Sequence, residues 1–206
     1  MTMSMGTAAV SFTETGKRLP EDLGKLRLFL VKYTPRQGWD TFLLMLASTG
    51  LAAFSVSEAN WVEAPGMVSM VVWSSLVGLI LAKVRLPWPI LMPAGFALGV
   101  IPLSVLAATM TEGSTVFSRI GQAWDRIVGW YTAASSGGIS TDLLPFSIGL
   151  LAMAWGLGFL SAWFLFRRSN VWVGLVIGGV ALLTNLSFTS GGETRFFVFM
   201  LAALLL

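Results

Sequence analysis

The sequence predicts an all-α, polytopic membrane helical bundle: about six transmembrane helices, plus an amphipathic interfacial helix in the third loop. Three observations carry this. Hydrophobic residues make up 55% of the 206-residue chain and charged residues only 11%, less than half of the roughly 25% usual in soluble domains, whose surfaces face water. Mean hydropathy is +0.79. The charged residues are also gathered into short segments, leaving long stretches free of Asp, Glu, Lys and Arg. This composition excludes a soluble enzyme, a disordered tail and a conventional nucleic-acid binder. The pI near 9.7 reflects a net charge of only +3, and the placement of that charge fits a lipid surface better than nucleic acid.

Crossing about 30 Å of hydrocarbon takes roughly 20 helical residues. A helix satisfies its own backbone hydrogen bonds within lipid. On that basis spans are expected at about 41–57, 64–82, 88–111, 143–166, 170–190 and 195–206. The last, FFVFMLAALLL, reaches Leu206 with no polar residue or cap. The expectation is that the chain continues beyond it, since free carbonyls and a carboxylate within hydrocarbon are costly. The first span lies too far from the N-terminus, and lacks a clean cleavage site, to be a signal peptide.

Basic residues set the orientation. Lys17, Arg18, Lys25, Arg27, Lys32 and Arg36 precede the first span, and the next loop, around Glu58 and Glu63, has none. Lys83 and Arg85 follow the second span, Arg119 and Arg126 the third, Arg167 and Arg168 the fourth, and Arg195 the fifth. A cytoplasmic N-terminus places ten of the thirteen inside, as the positive-inside rule favours. Lys83, Arg85, Arg167 and Arg168 are then expected to meet inner-leaflet headgroups.

Residues 1–40 form a cytoplasmic basic arm. After Pro20, Leu23, Leu26, Leu30 and Tyr33 recur at helical spacing, with Glu21 and Asp22 in the first turn. The pattern fits an interfacial docking helix, weakened by Gly24, or a mobile arm that only sets topology. A second amphipathic pattern spans about 115–134. Val116, Phe117, Ile120, Trp124, Ile127, Val128 and Tyr131 oppose Ser118, Arg119, Gln122, Asp125 and Arg126. With Trp124, Trp130 and Tyr131 at headgroup level, it is expected to lie flat on the outer surface or on the ends of its own bundle. Ser135–Ser140 then forms a flexible turn, Thr141 or Asp142 caps the following span, and Pro145 sits in its first turn.

Small residues recur every four positions: Ser74, Gly78 and Ala82; Gly95 and Gly99; Ala154, Gly158 and Ala162; Gly174 and Gly178. Such rows let helices approach closely in lipid, either within the bundle or against a partner subunit. Pro87, Pro89, Pro93 and Pro102 crowd the third span, and Pro102 is expected to kink it. No ionisable residue lies in the interior of a span, Arg195 standing at the very start of the last, which argues against a coupled transporter. Asn185 is the main intramembrane polar side chain, and reads as interhelical glue.

The chain has no Cys and no His. That removes disulfides, thiolate nucleophiles, Cys-held metal clusters and the commonest general base and haem ligand. No catalytic, metal or cofactor residue is assigned, and no cofactor is expected.

One long stretch carries a resemblance. From Gly137 to Phe188 the chain reads GGISTDLLPFSIGLLAMAWGLGFLSAWFLFRRSNVWVGLVIGGVALLTNLSF, preceded by RIGQAWDRIVGWYTAA. The tryptophan-bearing amphipathic helix, the Gly-Gly-Ile-x-Thr-Asp-x-Leu-Pro-Phe turn, Ala162-Trp163, Arg167-Arg168 and Asn185-Leu186 resemble the N-terminal membrane region of bacterial transglutaminase-like membrane proteins. The resemblance runs from about Arg119 to Phe188. It implies a bacterial inner-membrane protein whose catalytic Cys, His and Asp lie in a later extracytoplasmic domain, here reached through a seventh span beyond Leu206. The expected function is a non-catalytic membrane anchor and scaffold. The alternative is an accessory structural subunit of a respiratory or photosynthetic electron-transfer complex, without a redox centre. Expected partners are the lipid bilayer and other membrane subunits, with no nucleic acid and no soluble substrate.

Overall fold

The structure is a computed structural model that describes residues 38–187 and 193–206. These fall within a compact unit, Pro35–Leu206. The helix expected after Pro20 lies outside the described residues. Every regular element among the described residues is an α-helix: α1 (Trp39–Glu58), α2 (Met67–Lys83), α3 (Trp88–Thr109), α4 (Val116–Ser135), α5 (Leu144–Arg168), α6 (Trp172–Leu186) and α7 (Glu193–Leu205). Three of them, α1, α3 and α5, are long and apolar enough to cross a membrane. Helices α2 and α6 are apolar but shorter.

The helix limits differ from the expected spans for local reasons. The second span was expected from residue 64, but Gly66 takes a left-handed conformation (φ 74°) and α2 starts at Met67. Glycine adopts that conformation without a Cβ penalty. Expected from 143 to 166, α5 instead runs on through Arg167 and Arg168 and stops where Ser169 turns left-handed (φ 51°). The expected span at 170–190 contracts to the 15 residues of α6, about 22 Å of helix. Its start is set by Asn170, whose Oδ1 accepts the Trp172 N–H at 2.9 Å. Helix α3 carries Pro87 and Pro89 around its first residue and continues past Pro93 and Pro102.

The centre of the bundle is α5, which packs on α2 most extensively and also touches α1, α3, α4 and α6. Its Leu151, Ala154, Trp155, Phe159 and Trp163 form one buried cluster with Ala53, Met67, Met70 and Val71. Small residues decide how close the helices come. A Cβ on Gly78 would lie 2.6 Å from the Phe159 carbonyl and 2.9 Å from the Ala162 Cβ. One on Gly158 would strike the Ser74 hydroxyl and the Val71 carbonyl. So the row Ser74, Gly78 of α2 faces the row Gly158, Ala162 of α5, backbone against backbone. Ser75 Oγ adds a long hydrogen bond to the Gly158 carbonyl, at 3.4 Å.

On the other side of α5, glycines of α3 receive aromatic rings. Gly95 lies beneath the ring of Phe159, and a Cβ on Gly99 would lie 2.6 Å from the Trp155 Nε1. That indole N–H donates to the Gly95 carbonyl at 3.1 Å. Gly174 of α6 abuts Ser161 of α5. Gly178 is looser: a Cβ there would lie 3.3 Å from Phe199 of α7, 3.7 Å from Ala52 and 3.8 Å from Leu157. All five of these glycines, Gly95, Gly99, Gly158, Gly174 and Gly178, therefore serve contacts within the chain's own bundle.

Asn185 is buried on α6 and donates from Nδ2 to both the carbonyl and the hydroxyl of Ser55, each at 2.7 Å. A polar side chain buried among apolar helices needs such partners. The two bonds tie α6 to α1.

Candidate functional site

The chemistry-bearing side chains gather at the two ends of the bundle. At one end lie the first turns of α1, α3 and α6 and the last turns of α2 and α5. Phe42 of α1 meets Phe166 of α5 there, at 6.1 Å between ring centres. Phe42, Leu79 and Leu165 share a small core that also reaches Val171 and Leu206. This end carries Lys83, Arg85, Arg167 and Arg168, with Asp40 on α1.

The two adjacent arginines do different things. Helix α2 ends because Val84 turns extended, and the chain must stay extended ahead of Pro87. The carbonyls of this connection lack helical partners, and Arg167 supplies them. Its Nη1 donates to the Val84 carbonyl at 2.7 Å and its Nη2 to the Leu86 carbonyl at 2.6 Å. The guanidinium also lies 5.4 Å from the Trp163 ring centre, within cation–π range. Arg167 is thus a clamp between the end of α5 and the α2–α3 connection, whereas the sequence pointed to a headgroup ligand. Arg168 is exposed, with no hydrogen bond or ion pair among the described residues. It lines a cavity of about 390 Å³ with Trp88, Met92, Trp163, Phe164 and Asn170. Lys83 and Arg85 are exposed beside the connection that Arg167 grips.

At the opposite end, α4 packs on α3 and α5. It begins in a reciprocal cap: Ser118 N–H donates to Thr115 Oγ1 and Thr115 N–H to Ser118 Oγ, both at 3.2 Å. Thr111 Oγ1 donates to the Arg119 carbonyl at 3.0 Å, and Arg119 Nε to the Gly113 carbonyl at 2.9 Å. Ala123 is buried against Ala107 and Leu144. Its neighbours on that face, Ile120 and Ile127, are half-buried. A second apolar stripe lies about a quarter turn around the helix. Phe117, Trp124, Val128 and Tyr131 are exposed, Phe117 by 87% and Trp124 by 64%. Trp130 is partly exposed, nearer the bundle side.

The middle of α4 is held by Arg126, which donates from Nε to Asp142 Oδ2 at 2.7 Å and from Nη2 to Oδ1. Asp142 also accepts the Leu144 N–H at 2.9 Å, at the start of α5. The Arg126 hydrogen bond is the main reason the Asp142 carboxyl sits below the ordinary carboxylate range. The same bond holds the Arg126 guanidinium above its ordinary value. Neither Thr141 nor Asp142 occupies the N-cap position, which is Leu143, but the Asp142 carboxylate takes up the first-turn N–H of Leu144. Nothing in the linear pattern pairs residues 126 and 142, so this ion pair was not foreseen.

Between the ends, a cleft of about 280 Å³ opens among α1, α5 and α6, walled by Ala52, Ala53, Leu157, Leu160, Ile177 and Ala181. Its walls offer van der Waals contact and almost no polar group. Among the described residues no group of three or more acidic, His or Cys side chains could hold a metal ion. No protein-family model, curated protein or solved structure matches the chain.

Proposed function

We propose that the chain is a non-catalytic integral membrane anchor and scaffold of a bacterial inner membrane. In this reading α1, α2, α3, α5, α6 and α7 are its six spans, and the N-terminus is cytoplasmic. The observation that carries the reading is the outward face of the helices. Trp73 and Ile80 on α2, Ile90, Phe96, Val100, Ile101 and Val105 on α3, Met153 on α5, and Val176 and Val180 on α6 are all exposed. The charged side chains on those helices, Lys83 on α2 and Arg167 and Arg168 on α5, stand in their last turns and leave this apolar face uninterrupted. A water-soluble surface rarely carries so continuous an apolar area.

The charge distribution supports the orientation. Lys83, Arg85, Arg167 and Arg168 share one end, while Arg119 and Arg126 at the other are outnumbered by Glu58, Glu63, Glu112, Asp125 and Asp142. The basic end faces the cytoplasm under the positive-inside rule. Helix α4 then lies at the outer interface, its exposed stripe turned to lipid and its polar face to water. The motif resemblance from Arg119 to Phe188 favours the membrane portion of a transglutaminase-like protein.

The second reading, an accessory structural subunit of an electron-transfer complex, is favoured by a lateral groove. Leu175, Val176, Gly179, Phe196, Phe199 and Met200 line about 410 Å³ between α6 and α7, a shape that a neighbouring subunit's side chains can fill.

Alkaline carbonate extraction of cell membranes tests the membrane reading. The chain is expected in the pellet, and release into the supernatant would overturn it. Native electrophoresis from mild detergent separates the two roles. Migration with redox subunits favours the accessory reading, and migration alone favours the anchor.

A further inference from the structure

The basic end holds an unassigned cavity with a single cation on its wall. Arg167 is spent on backbone carbonyls. Arg168, one residue on, faces the 390 Å³ cavity with no protein acceptor among the described residues. Asn170 shares the wall; its Oδ1 is committed to the Trp172 N–H, and its Nδ2 makes no hydrogen bond among the described residues. Trp88, Met92 and Phe164 supply an apolar flank. Trp163, also in the wall, is almost fully buried, and its indole N–H has no acceptor among the described residues. The cavity thus joins donors without acceptors to an apolar side, at the level where the bundle turns from apolar helix to charged connection.

We propose that this cavity binds one anionic glycerophospholipid, its phosphate against Arg168 and Asn170 and its acyl chain along Trp88, Met92 and Phe164. Charge complementarity selects the occupant. A guanidinium binds phosphate through paired N–H donors, and a zwitterionic headgroup offsets that attraction with its own cation. The apolar flank selects a lipid over a free ion. The proposal rests on the membrane reading above, and adds to it one site with one headgroup class.

Native mass spectrometry of the full chain, released from nanodiscs of equal phosphatidylglycerol and phosphatidylcholine, tests it. The wild type is expected to retain one phosphatidylglycerol. Arg168→Gln should lower that retention about fivefold, the scale of one cation at a lipid surface. Met92→Trp, which fills the apolar side, should lower it as well. Arg85→Gln removes the same charge from the same end outside the cavity, and should leave retention unchanged. Equal retention of the two lipids, equal loss in Arg85→Gln and Arg168→Gln, or occupation by inorganic phosphate in place of lipid would each overturn the site. The membrane reading survives all three outcomes, since it is judged by carbonate extraction.

Discussion

Trp155 lies across the bare backbone of Gly99, and its indole N–H reaches one turn back to the Gly95 carbonyl at 3.1 Å. An aromatic side chain of α5 is thereby held on α3 by shape and by a hydrogen bond together. Both depend on position 99 having no side chain, as the neighbouring Phe159 ring depends on position 95.

Replacing Gly99 with alanine therefore forces the Trp155 ring away. The expected cost is about 1–3 kcal/mol, the usual range for overpacking a filled core. Equilibrium unfolding in mixed micelles measures it. Gly121→Ala is the control, because a Cβ there meets nothing within 4 Å. Equal stability of wild type and Gly99→Ala would show that α3 and α5 do not pack this way.

Arg167→Lys keeps the charge but loses the two-pronged grip on Val84 and Leu86. Hydrogen bonds from charged donors contribute about 1.5–3 kcal/mol each, and an ammonium reaches at most one of the two carbonyls well. The variant should exchange the amides of the α2–α3 connection faster, by hydrogen–deuterium exchange. Arg168→Lys should leave them unchanged.

How far the sequence foretold these contacts differs by kind. The rows Gly95, Gly99 and Ala154, Gly158, Ala162 were visible, because a four-residue repeat marks one helix face. Their partners were not, since periodicity says which face is bare and nothing about which helix covers it. The amphipathic segment at 115–134 was legible from its alternating faces. The division of its apolar arc into a bundle side at Ala123 and an open side at Trp124 needed three dimensions. Arg167 read as a lipid contact because its bonds go to residues more than 80 positions away, beyond the reach of any local pattern. The short length of α6 was hidden because the uncharged stretch runs past both helix ends, Asn170 turning the chain ahead of Trp172 and the helix stopping at Leu186.

Asp142→Asn tests the latch on α4. Asp142 has a depressed carboxyl in the folded chain, so its contribution is present above the ordinary carboxylate range and is lost as pH falls through its lowered value. The wild type should exceed the variant in stability at pH 7, and the gap should close in strong acid. Its size is expected at about 0.2–1 kcal/mol, because the pair is solvent-exposed and water screens it. Paired unfolding curves at several pH values measure the gap. A gap independent of pH would remove the ion pair as its cause.

Asn185→Leu removes both hydrogen bonds to Ser55. The expected loss is about 0.6–1.7 kcal/mol, the range found for polar contacts between helices in lipid. Asn185→Leu combined with Ser55→Ala should recover part of it, because the stranded hydroxyl is then gone. A double-mutant cycle read by unfolding in micelles gives the coupling, and a value of zero would separate α6 from α1.

The chain has no Cys, so single cysteines report orientation without background. Ser57→Cys lies at the end of α1 and Ser169→Cys after α5, both exposed. A membrane-impermeant maleimide applied to intact spheroplasts should label position 57. Position 169 should label only after lysis. The reverse pattern would invert the proposed topology.

The 25 residues of α5 run about 37 Å, while the 15 of its neighbour α6 run about 22 Å. A bilayer of uniform thickness cannot match both. In the proposed six-span arrangement, lipids beside α6 would have to shorten or α5 to lean, and the protein would wear an annulus that is thinner on one flank and draw shorter-tailed lipids to that side.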